Sequence, residues 1–397
     1  MRKLADRIER LHESQTIAMA RLSRELQDQG HNIISLSLGE PDFDTPKYIG
    51  DAAKKAIDDG FTKYPPISGY TDVREAIAQK LKRENNLDYK ASQIVVSTGA
   101  KQCIANAVLC CVNPGDEVLV PTPYWVSYSQ IIQLAGGVPV YLNTTIDSDF
   151  KVTPQQVEKA ITSKTRMFIF SSPCNPTGTV YSHNELKELA AVFAKHENIF
   201  VLSDEIYEYI NFVGKHYSIA SFDELKNQVI IINGVSKGYA MTGWRIGYMA
   251  APQDVAMACD KMQGQFTSAA SSIAQKAAKA AISISTPDRD MMVETFRKRR
   301  DLVLNLMKDI PGWKTNTPEG AFYVFPDISY YFGKTDGSST RKNPEDMCMY
   351  LLKDAKVALV TGEAFGDNNC IRFSYATSEN LLVEAISRIK VSLAKLK

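Results

Sequence analysis

Val229-Ile230-Ile231-Ile232-Asn233-Gly234-Val235-Ser236-Lys237-Gly238 passes from four β-branched residues into a small-residue loop that carries a lysine. The β-branched run reads as a buried strand, and the loop at its C-terminal end as part of the rim of a sheet. Outward from it, further strands are predicted at 94–97, 117–120, 138–142, 167–171, 199–203 and 246–249, with helical patterns at 101–112 and 127–134 between them. Strands this apolar, alternating with helices, predict an α/β fold with a mainly parallel seven-stranded sheet covered by helices on both faces. Ligands of such sheets bind beyond the carboxyl ends of the strands. Lys237 therefore stands where an enclosed amine could act as a nucleophile toward aldehydes. A solvated loop lysine is the commoner case, and partners must decide between the two.

The periodicity turns helical from 252 to 308, with a break at Ser285-Thr286-Pro287. The basic run Arg297-Lys298-Arg299-Arg300 in that stretch is expected to be a solvated helix face. After Pro311-Gly312 come strand patterns at 321–325, 357–360 and 370–374, a polar loop over 333–344, and a closing helix from Ser378. That order predicts a smaller α+β unit.

The 397 residues suffice for two or three domains, and 44% apolar with 23% charged residues is ordinary for a globular protein. A net charge of +1 gives no global field for nucleic acid or an anionic membrane, so neither is an expected partner. No apolar run approaches the roughly 20 residues that cross a bilayer. The opening residues Met1 to Arg10 mix both charge signs and lack the apolar core of a signal peptide, which predicts a cytoplasmic location. Seven scattered cysteines, without metal-ligand spacing, read as buried free thiols in a reducing compartment, and no metal is expected.

Several strand ends carry chemistry. Ser97-Thr98-Gly99-Ala100-Lys101-Gln102 is a small-residue turn between strand and helix, suited to a phosphate or simply to close packing. It fits neither the dinucleotide nor the nucleoside-triphosphate glycine pattern. Asn175-Pro176-Thr177-Gly178 closes the next strand unit as a turn. Asp204 is the first charged residue after the apolar run from Ile199 to Leu202. It either caps a helix or keeps its charge through a cationic partner.

In order along the chain stand Ser37-Leu38-Gly39-Glu40-Pro41-Asp42-Phe43, Lys63-Tyr64-Pro65, Pro123-Tyr124-Trp125-Val126-Ser127-Tyr128, Asn175-Pro176-Thr177-Gly178, Ser203-Asp204-Glu205-Ile206-Tyr207, Ser236-Lys237 through Arg245, and Arg372-Phe373-Ser374. This set resembles the class I aminotransferases of the fold-type-I pyridoxal-phosphate enzymes, in particular the bacterial-type aspartate aminotransferases. The resemblance runs almost end to end. It implies a large cofactor-binding domain over 46–290 and a small domain built from both chain ends, 1–45 and 291–397.

The resemblance implies pyridoxal 5′-phosphate as cofactor and assigns roles residue by residue. Lys237 forms the Schiff base and moves the proton. Asp204 holds the pyridine nitrogen protonated. Tyr207 and Asn175 bond the phenolic oxygen, and Trp125 stacks on the ring. Arg245, Ser236 and the turn Gly99, Ala100 and Lys101 hold the phosphate. Tyr64 reaches the phosphate of a neighbouring subunit, so a homodimer is expected. Arg372 clamps the substrate α-carboxylate in a geometry lysine lacks, and Gly39 lets the backbone approach it.

The implied reaction is ping-pong transamination between L-aspartate and 2-oxoglutarate, with Lys101 the candidate for the distal carboxylate, although a solvated first-turn lysine reads equally well. The N-terminal helix near Gln15-Thr16 is expected to close over the site. His12 stands where relatives that also aminate prephenate carry a lysine, which counts against that activity. Aminotransfer of aromatic or neutral amino acids, a lyase reaction on the same scaffold, and a non-enzymatic effector domain are the alternatives.

Overall fold

The computed structural model describes residues 4–284 and 286–397. Ser285, part of the expected break, lies outside the described residues, as do Met1, Arg2 and Lys3.

The predicted strands form one seven-stranded sheet. They are β1 (Ile94–Ser97), β2 (Glu117–Thr122), β3 (Val138–Asn143), β4 (Thr165–Ser171), β5 (Phe200–Asp204), β6 (Val229–Gly234) and β7 (Gly247–Ala250). Their order across the sheet is β1-β7-β6-β5-β4-β2-β3. Only β7 runs antiparallel, against both β1 and β6. Its first residues therefore lie at the edge where the other strands end, and Gly247 pairs with both Ser97 and Gly234.

The two-residue period of a strand divides the β-branched runs between the faces. Ile231 and Val201 face a core shared with the Thr71–Lys80, His183–Phe193 and Ser272–Ser283 helices. Ile230, Ile232 and Leu202 face a second core, under the Ala100–Cys111, Ser127–Leu134 and Gln253–Phe266 helices. Both faces being dry explains why these strands lack polar alternation.

A further core joins the N-terminal residues Ile34 and Leu36 to the C-terminal part of the chain and to Tyr207 and Ile210. Ile34–Ser35 pairs in parallel with Val357–Ala358. The single strand expected at 357–360 is two short ones. After Leu359 the chain leaves that partner, and Val360–Thr361 pairs antiparallel with Ile371–Ser374, which also pairs with Tyr323–Val324. Helix Glu379–Leu393 closes the unit.

The expected solvated face at 297–300 is half wrong. Arg297 pairs with Glu294 at the surface. Arg299, by contrast, is buried and makes two bonds of 2.6 and 2.9 Å to Asp42 while lying 5.3 Å from the Phe43 ring centroid. Arg300 donates to the Pro318 carbonyl. A helix turns about 100° per residue, so four consecutive basic residues cannot share one outer face. All seven cysteines are free; Cys110 and Cys174 are half-buried rather than buried. Among the described residues no helix is long and apolar enough to cross a membrane.

Candidate active site

A cavity of about 310 Å³ opens at the carboxyl edge of the sheet, in the size range of small-ligand sites. The strand ends deliver its groups. Asp204 is the last residue of β5, Ala100 and Lys101 open the helix after β1, Ser236 and Lys237 follow β6, and Arg245 precedes β7. Gly39, Trp125, Asn175, Tyr207 and Arg372 complete the candidates that line it. Gly99 lies against Arg245, where a methyl group would sit 2.3 Å from Nη2, and its φ of +86° also suits glycine. Tyr64 is the exception: it is 94% exposed and outside the cavity of its own chain.

The end of the cavity lined by Ala100, Lys101 and Arg245 is cationic. No side chain caps the helix that begins at Ala100, so its first N–H groups remain available to an anion. A methyl on Gly247 would lie 2.2 Å from Ala100 N, so glycine there lets β7 bring Arg245 against the same turn. Arg245 Nη1 donates to the Thr242 carbonyl at 2.9 Å, and among the described residues no carboxylate pairs with it. This cradle fits a phosphate.

Asp204 is 5% exposed. Burial raises its carboxyl to about 6, while a bond from the Tyr128 hydroxyl at 2.6 Å and one from Ile206 N at 3.2 Å pull the other way. A carboxylate held this way fits a protonated ring nitrogen. Lys237 Nζ donates to the Gly39 carbonyl at 2.5 Å. Burial lowers its amine to about 8; Glu40 opposes this, and Arg372 and Arg245 add to it. An amine so shifted fits attack on an aldehyde.

Arg372 is 2% exposed and has no acidic partner among the described residues. It donates to Asn175 Oδ1 at 3.0 Å and to the Ser37 carbonyl at 2.6 Å, and its Nε is buried without a partner. Burial lowers its pKa from the usual guanidinium value. A cation left unpaired in the interior is costly unless an anion joins it. Lys101 is an exposed residue whose Nζ lies 5.0 Å from the Trp125 ring centroid, where partial desolvation followed by Arg245 lowers its pKa. Ser14, Thr16 and Ile17 line the mouth, so the start of the Gln15–Asp28 helix does meet the cavity.

Motif reading assigned no role to Tyr128, Tyr323, Glu40 or Thr242, all of which line the cavity. Tyr128 stands three residues beyond Trp125, one helical turn on, which was a signal available in the sequence. Tyr323 is one hydroxyl inside an apolar strand, which gives little warning. Beneath the Asp204–Tyr207 turn, Lys80 and Asn233 bond Glu208, and His216 bonds Glu205 at 3.0 Å. Glu205, Glu208 and His216 lie as close as metal ligands do. Ser203 and Ser218 also donate to Glu205, and Asn85 to Glu208, so both carboxylates are held in an ionic network in which only His216 Nδ1, among the atoms of these three residues, is buried without a partner.

Residues 31–389 match the family model described as aminotransferase class I and II. The chain is 46% identical over 399 residues to the bifunctional aspartate aminotransferase and glutamate/aspartate-prephenate aminotransferase of Petunia hybrida, covering 99% of this chain and 83% of that protein. It is 44% identical to the aspartate aminotransferase of Bacillus subtilis, covering 98% of each. The crystal structure of the aspartate aminotransferase from Rhizobium meliloti superposes with a TM-score of 0.96 at 40% identity, over the full length of both chains.

Proposed function

This chain belongs to the class I and II aminotransferase family, and we propose that it transfers the amino group of L-aspartate to 2-oxoglutarate, giving oxaloacetate and L-glutamate, with pyridoxal 5′-phosphate as cofactor. The observation that carries the reading is Arg372, a buried guanidinium without an acid among the described residues, in one cavity with Lys237 and Asp204. It awaits a carboxylate beside an amine poised for an aldehyde.

When bound, the cofactor supplies an aldehyde for amine exchange and an electron sink for the substrate Cα. Arg245, Ser236 and the Gly99-Ala100-Lys101 turn hold its phosphate. Asp204 holds a proton on its ring nitrogen, and Tyr128 keeps Asp204 charged for that task. Tyr207 and Asn175 bond its phenolic oxygen, and Trp125 covers a ring face. Lys237 is the attachment point and afterwards carries the proton to and from Cα, for which an amine lowered to about 8 is suited.

Arg372 orients the α-carboxylate while Gly39 admits it closely. Lys101, at the same cavity, is a second cation for a distal carboxylate, which favours aspartate and glutamate over neutral substrates. Tyr64, turned outward, reaches the phosphate of a second copy in a homodimer. The large unit spans 46–290, and the pairing of Ile34–Ser35 with Val357–Ala358 supports a small unit made from 1–45 and 291–397.

A panel of amino donors against 2-oxoglutarate tests the reading, with the cofactor absorbance followed in each half-reaction. Aspartate should lead with ping-pong kinetics. Faster turnover of phenylalanine, tyrosine or alanine, or elimination in place of transfer, would overturn the substrate assignment. His12 predicts slow turnover when prephenate replaces 2-oxoglutarate as acceptor.

A further inference from the structure

Tyr323 lies between two groups of the site, Tyr207 and Arg372, that no bond among the described residues joins directly. Its hydroxyl lies 2.7 Å from the Tyr207 hydroxyl, and the Arg372 guanidinium carbon lies 4.6 Å from its ring centroid. The residue is buried and lines the cavity. Gly39 makes the room: a methyl group at position 39 would lie 2.2 Å from Tyr323 Oη. Phe322 and Val324 on either side are apolar, so packing alone would be served by phenylalanine.

Each phenol has one proton to give. If Tyr207 spends its proton on Tyr323, it has none for a ligand. If Tyr323 donates instead, the Tyr207 proton is free to point into the cavity. The cation over the Tyr323 ring favours the second arrangement, because it draws electron density from the phenol and makes its O–H the better donor. A donor into Tyr207 oxygen in turn strengthens the bond Tyr207 makes, since chained hydrogen bonds polarise one another.

We propose that Tyr323 is a positioning residue: held beneath Arg372, it donates to Tyr207 and so aims the Tyr207 proton at the phenolic oxygen of the cofactor. The inference rests on the roles given above to Tyr207 and to pyridoxal 5′-phosphate. Its consequence is electrostatic. Weaker donation from Tyr207 leaves the phenolic anion less stabilised, and the nitrogen beside it then keeps its proton to higher pH.

The test is a pH titration of the visible absorption band in the enzyme loaded with pyridoxal 5′-phosphate, for wild type, Tyr323→Phe, Tyr207→Phe and the double variant. Tyr323→Phe should raise the midpoint by roughly 0.5–1 pH unit, the size of one neutral hydrogen bond, and should add nothing in the Tyr207→Phe background. Because the ring stays under Arg372, KM for the amino donor should hold while kcat falls. An unmoved midpoint, or an equal shift with and without the Tyr207 hydroxyl, overturns the inference. Gly39→Ala, which displaces the Tyr323 hydroxyl without removing it, must move the midpoint the same way, and no shift there counts equally against it. A wild-type protein that binds pyridoxal 5′-phosphate with no titrating band would instead overturn the cofactor reading itself.

Discussion

The Tyr128 hydroxyl donates to Asp204 Oδ2 at 2.6 Å, so the acid at the end of β5 has its charge supported from a helix packed across the sheet edge. Burial raises this carboxyl to about 6, and without the Tyr128 bond it would stay protonated to higher pH still. Tyr128→Phe should therefore raise it further and slow half-transamination about tenfold, the effect of one bond to a charged group. Asp204→Asn should cost roughly a hundredfold or more. Stopped-flow absorbance of the loaded enzyme with aspartate measures both, and equal rates for Tyr128→Phe and wild type would deny the bond a role.

Lys237 is lowered to about 8 by burial. Its amine gains nucleophilicity as pH rises through that value, so the apoprotein should take up an aldehyde faster with increasing pH and level off above about 8. Rapid mixing with pyridoxal 5′-phosphate over a pH series reads this directly. Lys237→Ala should lose half-transamination; a variant that turned over normally would rule the mechanism out.

The roles proposed for Arg372 and Lys101 can be told apart by substrate. Arg372→Ala should raise KM for every amino acid by roughly two orders of magnitude, because the buried guanidinium proposed to receive the α-carboxylate is lost, and Arg372→Lys, without the planar fork, should recover little. Lys101→Ala should penalise aspartate and glutamate roughly tenfold while sparing alanine. Steady-state kcat/KM for three donors distinguishes the two patterns, and an unchanged aspartate-to-alanine ratio in Lys101→Ala would remove the selectivity role.

The Lys80–Glu208 pair is buried, with Asn85 and Asn233 completing the bonds. Burial pushes Glu208 up, but Lys80 and His216 outweigh it and hold the carboxyl below its usual value. A depressed carboxylate stabilises the fold above its unfolded pKa of about 4.3, and that contribution fades as pH falls through the lower folded value. Lys80→Met leaves Glu208 buried without its cation and should cost about 3–5 kcal/mol in urea unfolding at neutral pH. Glu208→Gln should flatten the acid limb of the stability profile relative to wild type.

Much of this protein is legible without coordinates. The apolar runs at 229–232 and 199–202 announce strands because both faces of their sheet are dry, and the helical patterns at 101–112 and 127–134 match helices to within a residue. Less legible are features set by helix phase and by partner choice. Arg299 looks like its neighbours in the sequence but turns inward to Asp42, and 357–360 looks like one strand but changes partner at Leu359.

The amino-acid sequence by itself determines the strands of the main sheet and the helices beside them, and it marks Lys237, Asp204, Asn175 and Arg372 at or near element ends, because periodicity and turn chemistry are local properties. Tertiary structure alone decides that these residues share one cavity, that Arg372 has no acid among the described residues, that Tyr128 supports Asp204, and that Tyr323 stands between Tyr207 and Arg372. Those relations join residues up to hundreds of positions apart, and burial sets their electrostatics: the same lysine, carboxyl and guanidinium in water would have ordinary proton affinities and nothing to recognise.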